Sequence, residues 1–220
     1  MRILIIAPHA DDEIIGVGGT ILKNIKNGND VFVCIVTKGV HPLFSEKYIL
    51  NLRQETKTCH SQLGLTKTFF LEFPSVVLNE QHKYVINKRI TEVIEEVRPE
   101  EVYIPHAGDM HSDHQIVAEA CMVSLRPKYS FAPTKILAYE TLSETGWNIP
   151  GVQNAFIPNV FVDIGEFLEQ KKDIMSIYAS QLGKFPDARS LEAIDALAKY
   201  RGALINKNAA EAFMLIREIN

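Results

Sequence analysis

Residues 2–13 read RILIIAPHADDE, and this stretch decides how the rest of the chain is interpreted. The apolar run at its start predicts a strand that is buried on both faces of a parallel sheet. A histidine and three acidic residues follow directly, at the point where that strand ends. Ligands of open parallel sheets bind beyond the carboxyl ends of the strands, so this loop is the first place to look for a functional site.

Short apolar runs alternate with helical repeats along the whole chain, which is typical of an α/β fold. We expect a Rossmann-like three-layer fold, in which a mostly parallel sheet carries helices on both faces. The predicted strands are 2–7, 31–36, 68–71, 101–104, 135–139, 160–163 and 212–217. The first predicted helix contains Ile21 and Ile25 and stops at Gly28. The second covers residues 48–63 and is capped by Gly64. The remaining predicted helices are 86–97, 113–125, 165–178 and 191–201.

Composition limits the kinds of partner that the protein can have. The 220 residues carry a formal net charge of -4, with 46% hydrophobic and 23% charged residues. A chain of this length can bury one substantial core, so we expect a single domain over residues 1–220. The chain has no long run of Lys and Arg and no apolar run near the roughly 18 to 20 residues that cross a bilayer. We expect a small-molecule substrate, no nucleic acid and no membrane insertion, while a homo-oligomer stays possible.

The three cysteines, Cys34, Cys59 and Cys121, lie far apart and show no C-x-x-C spacing. This arrangement predicts buried free thiols in a reducing compartment. The N-terminal apolar run is also too short for a signal peptide. We therefore expect a cytoplasmic protein whose cysteines pack in the core and do not bind metal.

A second loop with the same residue types follows the fourth predicted strand, where residues 106–114 read HAGDMHSDH. Together the two loops bring four histidines and five acidic residues to one edge of the sheet. Neighbouring carboxylates raise each other's pKa and destabilise a fold unless a positive charge compensates them. Two imidazoles and one carboxylate can hold zinc and still leave positions for water and substrate. The two loops therefore predict a catalytic metal site.

Other interpretations of these residues remain. The acidic residues of the first loop could cap the following helix, since carboxylates favour helix N-termini, and His114 could do the same in the second. Gly16-Val17-Gly18-Gly19 allows a dinucleotide-binding protein as an alternative, although eight residues separate Ala7 from Gly16. Two histidines and one carboxylate also suit ferrous iron, including that of an oxygenase.

With both loops in view, the chain resembles the PIG-L or LmbE-like family of zinc-dependent N-acetylglucosaminyl de-N-acetylases. The family's P/A-H-x-D-D-E signature is similar to residues 8–13, and its H-x-D-H signature is similar to residues 111–114. The chain departs from the family pattern at Ala10 and Ser112, where many relatives have proline. Shorter segments that resemble the family sequence lie at residues 53–55, 163–164, 178–181 and 210–213.

The resemblance implies that His9, Asp12 and His114 bind zinc and that Asp11 is the general base. The implied reaction removes the acetyl group from an N-acetylated amino sugar of the N-acetylglucosamine type and releases acetate. Ferrous iron, Fe(II), stays possible in place of zinc. Another metal-dependent amidohydrolase, acting on a different small-molecule amide, is the alternative.

Further roles also follow from the resemblance. A protonated His111 would stabilise the oxyanion, and Asp113 would orient the His111 imidazole. Arg53 resembles the arginine that faces the active-site carboxylates, although it could equally be a solvated residue on an amphipathic helix. Asp109 stands where some relatives have a tyrosine, and we place it with Arg53 among the substrate-binding candidates.

Residues 140–159 are rich in Gly, Pro, Asn, Ser and Thr. A loop of this length in a compact domain usually has a function. We therefore expect that residues of this loop, and residues just after the second strand, determine substrate specificity. Tyr139, Trp147 and Phe156 are candidates to stack on a sugar ring, or else they pack in the core and lid. Arg189 is a candidate to meet an anionic group of the substrate.

Overall fold

The computed structural model describes residues 1–220 and shows seven strands in one sheet. The strands are β1 (Arg2–Ala7), β2 (Asp30–Lys38), β3 (Lys67–Pro74), β4 (Glu101–Pro105), β5 (Lys135–Tyr139), β6 (Val160–Asp163) and β7 (Ala210–Glu218). Their order across the sheet is β3-β2-β1-β4-β5-β7-β6. The first five of these are parallel, and β7 runs antiparallel to both of its neighbours, β5 and β6. The expected α/β fold with a mostly parallel sheet is confirmed.

Helices cover both faces of the sheet, as the sequence predicts. They are α1 (Asp12–Lys26), α2 (Glu46–Leu63), α3 (Lys83–Val97), α4 (Ser112–Ser124), α5 (Leu168–Ser176) and α6 (Leu191–Ala203), with a short 3-10 helix at Leu78–Glu80. One core lies between the sheet and α1, α2, α5 and α6, and the other lies between the sheet and α3 and α4. None of these helices has both the length and the apolar character needed to span a membrane.

Strand β1 shows why its sequence is almost wholly apolar. Ile3 and Ile5 pack into the core under α1, while Leu4 and Ile6 pack into the core under α3 and α4. Successive side chains of a strand point to opposite faces, so a strand with helices on both sides needs apolar residues at every position. This double burial fixes the end of β1, where the first polar loop begins.

Several element bounds differ from the sequence-based expectation. Strand β3 runs to Pro74 because its pairing with β2 resumes after a register shift between Ile35 and Thr37. Helix α5 begins at Leu168, since the preceding residues form a turn in which the Phe167 N–H donates to the Ile164 carbonyl at 2.8 Å. The left-handed cap at Gly64 is confirmed, with φ 78°.

The glycines of α1 have a packing role. A Cβ at Gly16 would lie 2.4 Å from Cδ2 of Tyr139, and one at Gly19 would lie 2.7 Å from Cδ1 of Ile164. Both positions lie inside α1, and close approach of the helix to its neighbours requires that they lack a side chain. This packing accounts for the glycines without a bound dinucleotide.

An ion pair inside the protein holds the middle of α1. Lys171 Nζ lies 2.6 Å from Glu211 Oε1, and the two side chains are only 3% and 4% exposed. The ammonium also donates to the Ile15 carbonyl at 2.8 Å. The Glu211 carboxylate accepts the N–H groups of Gly19 and Thr20 at 2.8 and 2.7 Å. A side chain from α5 and another from β7 therefore fix the backbone of the helix that follows the first polar loop.

We expect Glu211→Gln to lower the free energy of unfolding by about 3–5 kcal/mol, because it leaves the Lys171 ammonium buried without its counter-charge. Glu166→Gln is the matched control, since its pair with Lys26 is 78% and 63% exposed and should contribute less than about 1 kcal/mol. Denaturant unfolding of both variants measures the difference. A loss for Glu211→Gln no larger than that of the control would show that the buried pair does not stabilise the fold.

Candidate active site

The ends of β1 and β4 bring His9, Asp12 and His114 together. Asp12 Oδ2 lies 3.4 Å from His9 Nδ1 and 3.2 Å from His114 Nε2. The two histidine nitrogens are 3.3 Å apart. Ligand atoms at about 2.0–2.1 Å from a tetrahedral zinc ion are themselves separated by about 3.4 Å. These three atoms are therefore spaced as the ligands of one metal ion would be.

Each of these two histidines uses its other ring nitrogen to contact a buried carboxylate. His9 Nε2 lies 3.0 Å from Asp113 Oδ2, and His114 Nδ1 lies 2.9 Å from Asp109 Oδ2. A carboxylate accepts the proton of the nitrogen that it faces, which leaves the opposite nitrogen with a free lone pair. The free lone pairs of both rings point toward Asp12, as a metal ion requires.

Asp113 is placed differently from the sequence-based expectation. Its carboxylate accepts from His9 and from the Val76 N–H at 2.7 Å, and it stays 4.0 Å from His111 Nδ1. His111 Nδ1 instead accepts the backbone N–H of Asp113 at 3.1 Å, because His111 caps the first turn of α4. Asp113 therefore orients His9 and not the His111 ring. Burial and the charge of His9 lower the pKa of His111 to about 4, which favours the neutral ring over the imidazolium that we expected.

Asp109 is also placed differently. It is fully buried, and its two oxygens are occupied by His114 and by the Thr145 hydroxyl, which donates to Oδ1 at 2.5 Å. Asp109 is thus a hydrogen-bond partner of a histidine at the centre and not a substrate contact. Thr145 belongs to the long loop at residues 140–159, so this loop supports the centre through Asp109.

Two arginines flank the centre, and the one nearer to its carboxylates is not the one that the sequence suggested. Arg53 pairs with Glu72, and its guanidinium carbon lies 3.7 Å from the centre of the Phe70 ring. Arg189 Nε instead lies 3.7 Å from Asp11 Oδ2. Arg189 comes from the irregular segment between α5 and α6, and no periodic pattern around it indicates this position.

Asp11 has an unusual backbone, with φ 109°. Residues other than glycine rarely adopt such angles, and where they do the surrounding structure holds them there. The Asp11 N–H donates to Glu13 Oε2 at 3.1 Å. The other oxygen of Glu13 contacts the Tyr178 hydroxyl at 2.7 Å and His60 Nε2 at 3.1 Å. Glu13 therefore turns away from the centre and supports Asp11, with two partners that the sequence reasoning missed.

Burial and neighbouring charges together shift the pKa values of the centre. Burial alone would lower the pKa of His114, but the carboxylates of Asp12 and Asp109 raise it to about 10. Burial and the charge of Asp12 raise the pKa of Asp11 to about 8, against the opposing effect of Arg189. These carboxylates thus favour positive charge at the histidines. A divalent cation would supply that charge and displace the protons, as metal ions do when they bind imidazole.

A cleft leads from the centre toward α2. His9, Asp11 and His111 lie at its inner end, and Arg189 lines one side. The apolar part of its lining consists of Ile35, Phe44, Tyr48, Ile49, Leu52 and Phe70.

The aromatic residues that we considered for sugar stacking do not line this cleft. Tyr139 is fully buried and Trp147 is 67% exposed on the surface. Phe156 packs edge-on against His106, with ring centres 5.3 Å apart. The aromatic side chains beside the centre come instead from the segment after β2, from α2 and from β3.

The family model described as PIG-L: GlcNAc-PI de-N-acetylase matches residues 4–125, a segment that contains both polar loops. The chain belongs to the PIG-L family. A diacetylchitobiose deacetylase from Thermococcus kodakarensis is 30% identical over 200 residues, which cover 84% of this chain and 71% of that relative. The family membership that the two motifs suggested is confirmed.

Solved structures show the same fold for this PIG-L family protein. A conserved protein from Thermus thermophilus matches with a TM-score of 0.81 at 23% identity, covering 99% of this chain and 96% of the other. A 4-carboxy-2-hydroxymuconate hydratase from Pseudomonas putida matches with a TM-score of 0.78 at 18% identity, covering 100% and 97%. Because a hydratase shares the fold, the fold alone does not determine the reaction, which has to be inferred from the site.

We expect Asp113→Ala to weaken zinc binding about 10- to 100-fold, because His9 loses the carboxylate that orients its ring. Ser112→Ala, at the neighbouring position, is the control and should leave zinc affinity unchanged. Competition between the metal-free protein and a chromogenic chelator measures both affinities. Full zinc affinity in Asp113→Ala, with only turnover reduced, would restore the role of Asp113 in orienting His111.

Proposed function

We propose that this PIG-L family protein is a metal-dependent hydrolase that removes the acetyl group from an N-acetylated amino sugar. The observation that carries the proposal is the convergence of His9 Nδ1, Asp12 Oδ2 and His114 Nε2 beside the buried Asp11. Asp11 Oδ2 has no hydrogen-bond partner, so it is free to accept a proton. The Thermococcus kodakarensis relative is named as a deacetylase of diacetylchitobiose, which supports the same class of substrate. We further propose that residues 1–220 work as one domain.

Zinc is the metal that we propose, held by His9, Asp12 and His114, with ferrous iron as the alternative. When bound, zinc would lower the pKa of a water molecule from about 16 toward about 7 and polarise the acyl oxygen. Metal analysis of protein purified without added metal salts distinguishes the two ions.

Asp11 is the general base in this proposal. Its carboxylate takes a proton from the attacking water as the water oxygen bonds to the acyl carbon. Without a metal ion the pKa of Asp11 is about 8, and a bound divalent cation would act together with Arg189, 3.7 Å away, to favour the ionised carboxylate that this step requires. The carbon–nitrogen bond then breaks and the amine leaves with the proton that Asp11 took from the water. The products are acetate and a free amino sugar.

His111 is the proposed donor to the oxyanion. Its Nδ1 accepts a backbone N–H, so the proton of the neutral ring is on Nε2. That N–H can donate to the negative oxygen which develops on the acyl group. Loss of one such donor in other enzymes lowers kcat by about 10²- to 10³-fold.

We expect Asp11→Asn to keep its metal and to lower acetate release at least about 100-fold, because the amide cannot accept the proton. His9→Ala should lose both metal and activity. Asp30→Asn, at an exposed position, is the control and should behave like the unaltered protein. The assay measures acetate released from N-acetylglucosamine, N,N'-diacetylchitobiose and N-acetylated nucleotide sugars, with and without a chelator.

Two results would contradict these assignments. Near-normal acetate release by Asp11→Asn would remove Asp11 as the base. Absence of acetate release from every substrate, by protein with a full complement of metal, would overturn the deacetylase proposal itself.

A further inference from the structure

Part of the cleft lining is apolar, and we call this part the wall. Phe44 and Tyr48 are stacked there, with ring centres 5.3 Å apart and an angle of 16° between the rings. Ile49 and Leu52 extend this surface along α2, and Phe70 extends it from β3. These five side chains are only partly buried, and Leu52 and Phe70 also pack against the core with part of their surface. They lie in the same cleft as Asp11 and His111, within reach of a substrate that is bound at the centre.

Polar side chains beside this wall already use their hydrogen-bond donors within the protein. The hydroxyls of Thr37 and Thr56 donate to backbone carbonyls at 2.8 and 2.7 Å. The Gln181 amide donates to the Tyr48 hydroxyl at 2.9 Å. A sugar hydroxyl placed against Phe44, Ile49 and Leu52 would lose its hydrogen bonds to water, because these side chains have no polar atom to replace them.

The two cations beside the wall share one carboxylate, so one net positive charge remains there. Lys38 Nζ lies 2.8 Å from Glu72 Oε2, and Arg53 binds the other oxygen of the same carboxylate. Arg53 also lies over the Phe70 ring. The wall thus offers van der Waals contact and an aromatic surface, with the charged group of Lys38, Glu72 and Arg53 at its edge.

We propose that the substrate carries an apolar group, an alkyl chain or an aryl ring, that packs against Phe44, Ile49 and Leu52 while the amide is bound at the centre. This inference rests on the proposed function and specifies its class of substrate. Two attachment points give the same contact chemistry, either an acyl group longer than acetyl on the amine or an apolar aglycone on the sugar. Each buried CH2 group improves binding by about four-fold, so a hexyl or phenyl group is large enough to test the wall.

The first experiment compares kcat/KM for three substrates. The reference is the methyl glycoside of N-acetylglucosamine, one arm is its hexyl glycoside, and the other arm is the methyl glycoside of N-hexanoylglucosamine. We expect one arm to exceed the reference by at least about 10-fold, and that arm identifies where the apolar group is attached. Hydrolysis of the reference with no gain in either arm would overturn the inference and leave the proposed function intact.

Substitutions on α2 then locate the contact. Leu52→Gln and Ile49→Gln place a polar group in the wall, and each should reduce the hexyl-to-methyl ratio at least about three-fold. Leu50→Gln is the matched control, because Leu50 lies on the same helix but is 70% exposed. Thermal unfolding confirms that each variant is folded. An unchanged ratio in both wall variants would show that the apolar group binds elsewhere.

A binding measurement separates this inference from the proposed reaction. Calorimetry compares the hexyl and methyl glycosides of glucosamine, which carry no amide and cannot be hydrolysed. At least about 10-fold tighter binding of the hexyl compound, lost in Leu52→Gln, supports the apolar wall even if no acetate is released from any substrate. Equal binding of the two compounds overturns attachment through the aglycone, and equal binding together with no gain from the N-hexanoyl substrate overturns the inference.

Discussion

Strands β1 and β4 are hydrogen-bonded neighbours in the parallel sheet, with Ile5 opposite Tyr103, and the site depends on this pairing. Parallel neighbours end at the same edge, so the loop after β1 meets the loop after β4. A shift of one residue in either strand would turn its core side chains to the wrong face, and the packing of both cores therefore fixes the register. The distance between His9 and His114 follows from that register. Tight packing far from the polar loops thus determines the geometry of the centre.

The centre also concentrates carboxylates in a buried place, which costs stability unless each has a partner. Most of them have one: Asp113 faces His9, Asp109 faces His114, and Glu13 faces His60 and Tyr178. Asp12 and Asp113 each have one oxygen without a partner, but Asp11 is the exception because neither of its carboxylate oxygens accepts a hydrogen bond and its backbone adopts a rare angle. Strain and unsatisfied polar atoms persist at functional sites when the surrounding structure holds them in place. The carboxylate with the least structural support is therefore the one to which we assign the chemistry.

The sequence predicted the fold class, the family and the two polar loops, because each of these is encoded in contiguous residues or in a regular period. It did not predict contacts that depend on how separate segments approach each other. Arg189 reaches Asp11 from a segment without regular structure, and His60 reaches Glu13 from α2, so neither contact has a local signal. We expected Asp113 to contact the His111 ring, but its carboxylate contacts the His9 ring. The orientation of α4 decides which of the two rings the carboxylate faces. The apolar wall was missed for a similar reason, since α2 and β3 each supply only part of it.

The central claim is that one cation binds between the two loops, and anomalous X-ray diffraction from crystals of protein loaded with one equivalent of zinc tests it most directly. Data collected on both sides of the zinc absorption edge locate the ion without reference to any assumed site. The account predicts a single peak at about 2.0–2.2 Å from His9 Nδ1, Asp12 Oδ2 and His114 Nε2. A peak at the other buried cluster of possible ligands, formed by Glu13, Cys59 and His60, with none between the two loops, would contradict it.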